Sequence, residues 1–144
     1  MISESTKNKF LYHDSIIKEY KYWAVLFRFQ QITIGSMILI STTGAQHLGD
    51  LSSEAWAEFA IVSKDVEQWT KEAFSAEKFN YLALMMKEPE VHFHFVPRYS
   101  QPVAINGIEF VDSDWPLATN KVAMELNQTV LDAVKNKIFE VAKQ

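Results

Sequence analysis

At 144 residues, with 48% apolar and 22% charged side chains, the chain has the size and balance of one ordinary globular domain, spanning residues 1–144 and able to bury a core without metal or disulfide staples. It contains no cysteine, which excludes disulfides and thiolate metal sites and with them the usual mark of small secreted domains. A net charge of −4, with the 14 Lys and Arg dispersed along the chain, offers no electrostatic footprint for duplex nucleic acid.

The opening MISESTKNKF lacks a basic segment leading into an apolar stretch, and nowhere do about 18 apolar residues run together. Neither export nor membrane spanning is expected, and the expected location is the cytoplasm. Residues 1–9 are polar and are expected to fray. SIIKEY and YWAVLF then read as successive strands, because aromatic and β-branched residues concentrate there. RFQQIT connects them to GSMILIST, a third strand opened by Gly35, and TTGAQHLGD follows as a loop. A helix comes next. Ser52 is its N-cap, Glu54 lies in the first turn, and Leu51 staples onto Trp56. From there Trp56, Phe59, Val62, Val66, Trp69 and Ala73 recur every three or four residues, an apolar stripe for one face of a sheet.

KFNYLALMM and VHFHFVP read as two more strands, with KEPE as a tight antiparallel connection between them. RYSQPVAINGIEFVDSDWP is rich in turn formers and reads as an ordered surface loop. The spacing of Val122, Leu126, Val130, Val134, Ile138 and Val141 predicts a closing helix over 120–144. The long aromatic-rich first helix and the apolar YWAVLF strand offer more hydrophobic surface than one small sheet needs, which predicts a homodimer.

The chemistry concentrates in KEPEVHFHFVPRYS. Successive side chains of a strand face opposite ways, so Glu90, His92 and His94 share one face while Val91, Phe93 and Phe95 share the other. Two imidazoles roughly 7 Å apart on one face can act as nucleophile and acid, as phosphate donors or as metal ligands; they can also be an inert surface pair. His13 and His47 lie far off in sequence with no cysteine to support them, so no metal site is expected, and surface placement is expected for both.

PEVHFHFVPRY resembles the signature strand of the histidine triad family of nucleotide hydrolases and transferases. That pattern runs His, apolar, His, apolar, His, two apolar residues, then often Pro and Arg. Here the three triad positions are Glu90, His92 and His94, followed by Phe95, Val96, Pro97 and Arg98. Gly35 before MILI looks like the glycine opening the family's central strand, LGDLSSE like the start of its helix, and Asn80 like the asparagine before the signature. The resemblance spans residues 15–116, including a tail seen in the dinucleoside polyphosphate hydrolase branch.

The resemblance implies an α+β fold with a five-stranded antiparallel sheet, one central helix and a long C-terminal helix, in a homodimer. It implies a nucleotide or dinucleotide substrate and no cofactor. His92 would attack the α-phosphorus and form a nucleotidyl-histidine that water hydrolyses, while His94 would donate to phosphate oxygens. The chain also departs from the pattern. Glu90 stands where the first histidine belongs, Ser36 where a histidine often follows the glycine, Arg28 at a common asparagine position, and Met86 at a polar one. Arg28, Ser36, Asn80, Lys87, Glu90 and Arg98 are the candidate substrate-binding residues. Arg28, Lys87 and Arg98 could supply replacement positive charge, with Lys87 or Arg28 pairing Glu90. The alternative is a nucleotide-binding or scaffold protein that kept the fold and lost efficient turnover. A metal-dependent hydrolase would require carboxylates converging with His92 and His94.

Overall fold

Two strands at the centre of the chain's sheet have apolar side chains on both faces, and that pattern sets the layering. The computed structural model describes residues 1–143. In chain order the elements are α1 (Glu4–Lys9), α2 (Tyr12–Ser15), β1 (Ile16–Glu19), β2 (Trp23–Phe27), β3 (Met37–Ser41), a 3-10 turn (Leu48–Asp50), α3 (Ser53–Phe74), β4 (Lys78–Leu82), β5 (His92–Arg98), β6 (Val103–Ile105), β7 (Ile108–Phe110) and α4 (Gln128–Ala142). The first five strands form one antiparallel sheet in the order β1-β2-β3-β5-β4.

Every residue of β2 and β3 is buried. Trp23, Val25, Phe27, Met37 and Leu39 point into the larger core, where α3 and α4 pack, and the Trp23 indole donates to the carbonyl of Ala55 in α3 at 2.8 Å. Ala24, Leu26, Ile38 and Ile40 point the other way, into a smaller cluster closed by Ile2 and Tyr12 with Phe10 and Ile16 beside it. A strand covered on both faces reads as a continuous apolar run. The surface of YWAVLF is therefore spent inside the chain.

The stretch 1–9 differs from expectation. Ser3 caps α1, its hydroxyl accepting from Thr6 N–H, and Thr6 is buried. α3 follows its sequence signals closely: Ser52 accepts from Ala55 N–H, and Ser75 ends the helix in the left-handed region. Gly35 is required where it stands, because its φ is +95° and a Cβ there would press on Thr70 and Phe74 of α3 at 3.2 Å.

Two further segments correct the sequence reading. The stretch read as a loop holds the β6–β7 hairpin, which turns at Asn106 (φ 52°) and Gly107 (φ 79°), the positive angles that a type I′ turn demands. The closing helix starts at Gln128, because Asn127 accepts from Val130 N–H as its cap; Lys121 takes a φ of 64° and Val122 is exposed. The β4–β5 pairing is antiparallel as expected, but residues 83–91 connect the two strands rather than KEPE alone.

A buried ion pair ties the end of β5 to the segment after the hairpin. Arg98 Nε and Nη2 donate to the Asp112 carboxylate at 2.6 and 3.1 Å, Nη1 donates to Asn80 Oδ1 at 2.8 Å, and both charged side chains are under 5% exposed. Removing one partner of such a pair strands the other charge in the core. Asp112→Ala is expected to lower the unfolding free energy by about 3–5 kcal/mol in a urea titration; a loss below about 1 kcal/mol would class the pair with weak surface bridges.

Candidate active site

The two imidazoles of β5 lie on the sheet's second face. β5 pairs with β3 so that His92 lies opposite Ile40 and His94 opposite Ile38, which puts both imidazoles on the face that α1 and α2 cover. Alternation sends Phe93 and Phe95 into the larger core.

His92 is 1% exposed. Its Nδ1 lies 2.7 Å from the carbonyl oxygen of Glu90. A carbonyl only accepts, so Nδ1 carries the proton and donates, and the neutral ring keeps its lone pair on Nε2. The His94 ring meets it edge-on at 5.1 Å, and Phe10, the residue after α1, meets it at 5.4 Å.

His94 forms part of a cleft of ≈ 320 Å³. Phe10, Leu11, Phe27, Phe29 and Ile38 give the cleft apolar walls, and Lys9, Arg28, Lys87 and the acidic Glu88 line it as well. The Nδ1 of His94 is buried with no hydrogen-bond partner. Burial, aided by the neighbouring His92 ring and the positive charges of Arg28 and Lys121, lowers the pKa of His94 to about 4, so its ring is neutral near neutral pH. Burial likewise lowers the pKa of Arg28. The result is a cleft of mixed character, in which three cations, the Glu88 carboxylate and a neutral imidazole edge stand among apolar side chains. Such a cleft can hold a flat ring that carries a polar group.

Glu90 pairs with neither Lys87 nor Arg28. Its carboxylate, in a residue 3% exposed, accepts from Ser3 N–H at 3.0 Å and from the Thr6 hydroxyl. Burial opposes the charge, but the donors of Thr6 and Ser3 outweigh it and hold the Glu90 pKa below the usual carboxylate value. The carboxylate at the first triad position thus serves as the acceptor that ties α1 to the connection leading into β5.

The remaining candidates separate. Arg28 and Lys87 line the cleft with His94. Ser36 is buried in the β2–β3 connection, where its hydroxyl accepts from Ile32 and Thr33 N–H at 3.1 Å. Asn80 and Arg98 hydrogen-bond to each other and line a different cleft, walled by Trp115 and Pro116 at the β4 edge. His13 and His47 are exposed. Among the described residues no three His, Asp or Glu side chains gather to hold a metal.

Lys9, Phe10 and Leu11 line the cleft although their stretch was expected to fray or left unassigned. A signal existed: Ser3 followed by Glu4 is a helix start, and Ile2, Phe10 and Tyr12 are apolar residues that a frayed end does not need.

No family model matches the sequence, and no curated protein matches it. Solved structures do. A histidine triad protein from Marinobacter aquaeolei VT8 superposes with a TM-score of 0.72 at 20% identity, over 99% of this chain and 97% of that one. One from Sinorhizobium meliloti 1021 gives 0.70 at 18%, over 97% and 96%. A hypothetical histidine triad nucleotide-binding protein from Sulfolobus tokodaii strain7 gives 0.69 at 15%, over 96% and 91%. This chain has the fold of the histidine triad proteins.

Proposed function

We propose that the chain is a histidine triad hydrolase or nucleotidyl transferase that acts on the phosphoric anhydride bonds of nucleotides, with dinucleoside polyphosphates in its substrate range. The observation that carries this is the hydrogen bond from His92 Nδ1 to the Glu90 carbonyl, which leaves Nε2 as a free nucleophile. Nε2 attacks the α-phosphorus, the P–O bond to the leaving group breaks with its electrons on oxygen, and a nucleotidyl-histidine forms. Water then attacks the phosphorus and the N–P bond breaks. The base lies between Phe10, Leu11, Phe27 and Ile38, while Arg28, Lys87 and His94 meet the phosphates. A second reading has an observation of its own. Phe10 covers a His92 that is only 1% exposed, an arrangement suited to a nucleotide-binding protein with little turnover.

The dimer belongs to this proposal too, on a different surface from the one read in the sequence. β2 is covered on both faces, whereas β4 is a terminal strand of the sheet and Ile61 of α3 is 57% exposed. An open strand edge is a template for pairing with another chain. A cytoplasmic location is proposed with it; no described helix is long and apolar enough to cross a membrane.

Mononucleotides, nucleoside phosphoramidates and dinucleoside polyphosphates can be screened by thermal shift and the binders assayed for turnover. His92→Gln is expected to abolish turnover and the acid-labile phosphohistidine while binding persists; undiminished turnover would end the covalent mechanism. His94→Gln is expected to lose on the order of a hundredfold in turnover. Sedimentation is expected to give a dimer in the micromolar range, and a monomer throughout would remove that part of the proposal. Stability should also respond to pH. His94 titrates near 4 in the folded chain against 6.5 as its ordinary value. Between those values the unfolded chain binds a proton that the folded one does not, so stability is full above about 6.5 and falls as pH drops toward 4. His94→Gln is expected to flatten that slope in denaturation at stepped pH, and an unchanged slope would assign it to other groups.

A further inference from the structure

α1 is held down by polar contacts more than by apolar area. Thr6 is its one buried residue, and the Thr6 hydroxyl donates to Glu90. Ser3 N–H, at the cap, donates to the other carboxylate oxygen at 3.0 Å. Glu90 has no cation within ion-pair distance among the described residues. The carboxylate therefore depends on these donors as much as the helix depends on it.

The far end of α1 leads into Phe10, whose ring stands against His92. The cleft's walls include His94 and Phe10 but not His92. Phe10 thus touches both the cleft and the His92 ring. After Phe10 comes Leu11 at φ 50° and ψ 50°, a left-handed conformation that is unfavourable for any residue with a Cβ. Beyond it α2 is fixed: Tyr12 is buried in the smaller cluster, and Lys135 of α4 donates to the Asp14 carbonyl at 2.6 Å. α1 and Phe10 thus lie between a fixed α2 and the Glu90 tether, with a strained residue at the joint.

We propose that Glu90 is a positioning residue that acts on His92 through α1: its carboxylate holds the helix and Phe10 over the nucleophile, and release of that hold opens His92 to the cleft. The proposal rests on the reading of His92 as the nucleophile for its meaning, but not for its geometry. The Glu90 carboxylate takes no part in the chemistry, whereas the Glu90 backbone carbonyl orients the His92 ring directly. The carboxylate sets how often the reacting nitrogen is reachable.

Diethyl pyrocarbonate acylates neutral imidazole nitrogens and needs no nucleotide, so it reads access to His92 separately from turnover. Exposed His13 and His47 serve as references within the same chain. In the unaltered protein, peptide mass analysis is expected to show His92 reacting far more slowly than either. Thr6→Val keeps the shape of the side chain and removes the donor; it is expected to speed His92 modification by about tenfold, the worth of one hydrogen bond to a charged group. Thr6→Ser, which keeps the hydroxyl, is expected to react as the unaltered protein does. Amide exchange should quicken over residues 4–10 in Thr6→Val and stay unchanged in β3. Glu90→Gln, a second route to the same loss, should also speed His92. The proposal is overturned if His92 reacts as fast as His13 and His47 from the outset, if both variants leave its rate unchanged, or if β3 amides quicken in step with α1. A chain that passes this test and forms no phosphohistidine would retain the positioning role and lose the hydrolase reading.

Discussion

A sheet covered on both faces must bury every side chain of its central strands, and that demand shapes this molecule. β2 and β3 meet it with apolar residues throughout. β5 lies beside β3 and meets it in two ways at once. Phe93 and Phe95 join the larger core, while His92 and His94 enter the smaller layer with Ile38, Ile40 and the N-terminal segment. An imidazole placed there needs hydrogen-bond partners, and the backbone just before the strand supplies one, the carbonyl of Glu90. The tautomer of His92 is thus a product of burial. The same burial keeps His94 neutral and leaves its Nδ1 without a partner beside a cleft of mixed character.

Much of this was legible because it is local. Alternation alone separated Glu90, His92 and His94 from Val91, Phe93 and Phe95, and a period of three to four residues marked α3. What was not legible depends on partners distant in sequence. Nothing around Ser3 and Thr6 shows that residue 90 will bind them, so a six-residue helix was read as a frayed end. Arg98 looks like a phosphate ligand until Asp112 takes its guanidinium, and Ser36 looks like a site residue until the amides of Ile32 and Thr33 take its hydroxyl. The β6–β7 hairpin is a different kind of miss. Asn106-Gly107 is a strong turn signal, and the surrounding turn formers masked it. At the C-terminus, Val122 and Leu126 continue the spacing of α4 outside the helix, because Asn127 caps it after them.

The substitution at position 90 changes what a return to the expected residue would mean. A histidine there has one acceptor nitrogen at most when neutral and none when charged, whereas the carboxylate accepts from both Ser3 and Thr6. Ser3, Thr6 and Glu90 form a unit, and each residue makes sense only with the others.

The tether spans 87 residues between Ser3 and Glu90. During synthesis the first residues of the chain leave the ribosome long before their partner exists, and β5 lies inside the sheet, between β3 and β4. Contacts of such separation bear a loop-closure cost before they return any stability. α1 has no local means of compensating for that wait, being too short to persist as an isolated helix. The strand that carries His92 and the helix above it therefore reach their final places only when contacts far apart in sequence have closed.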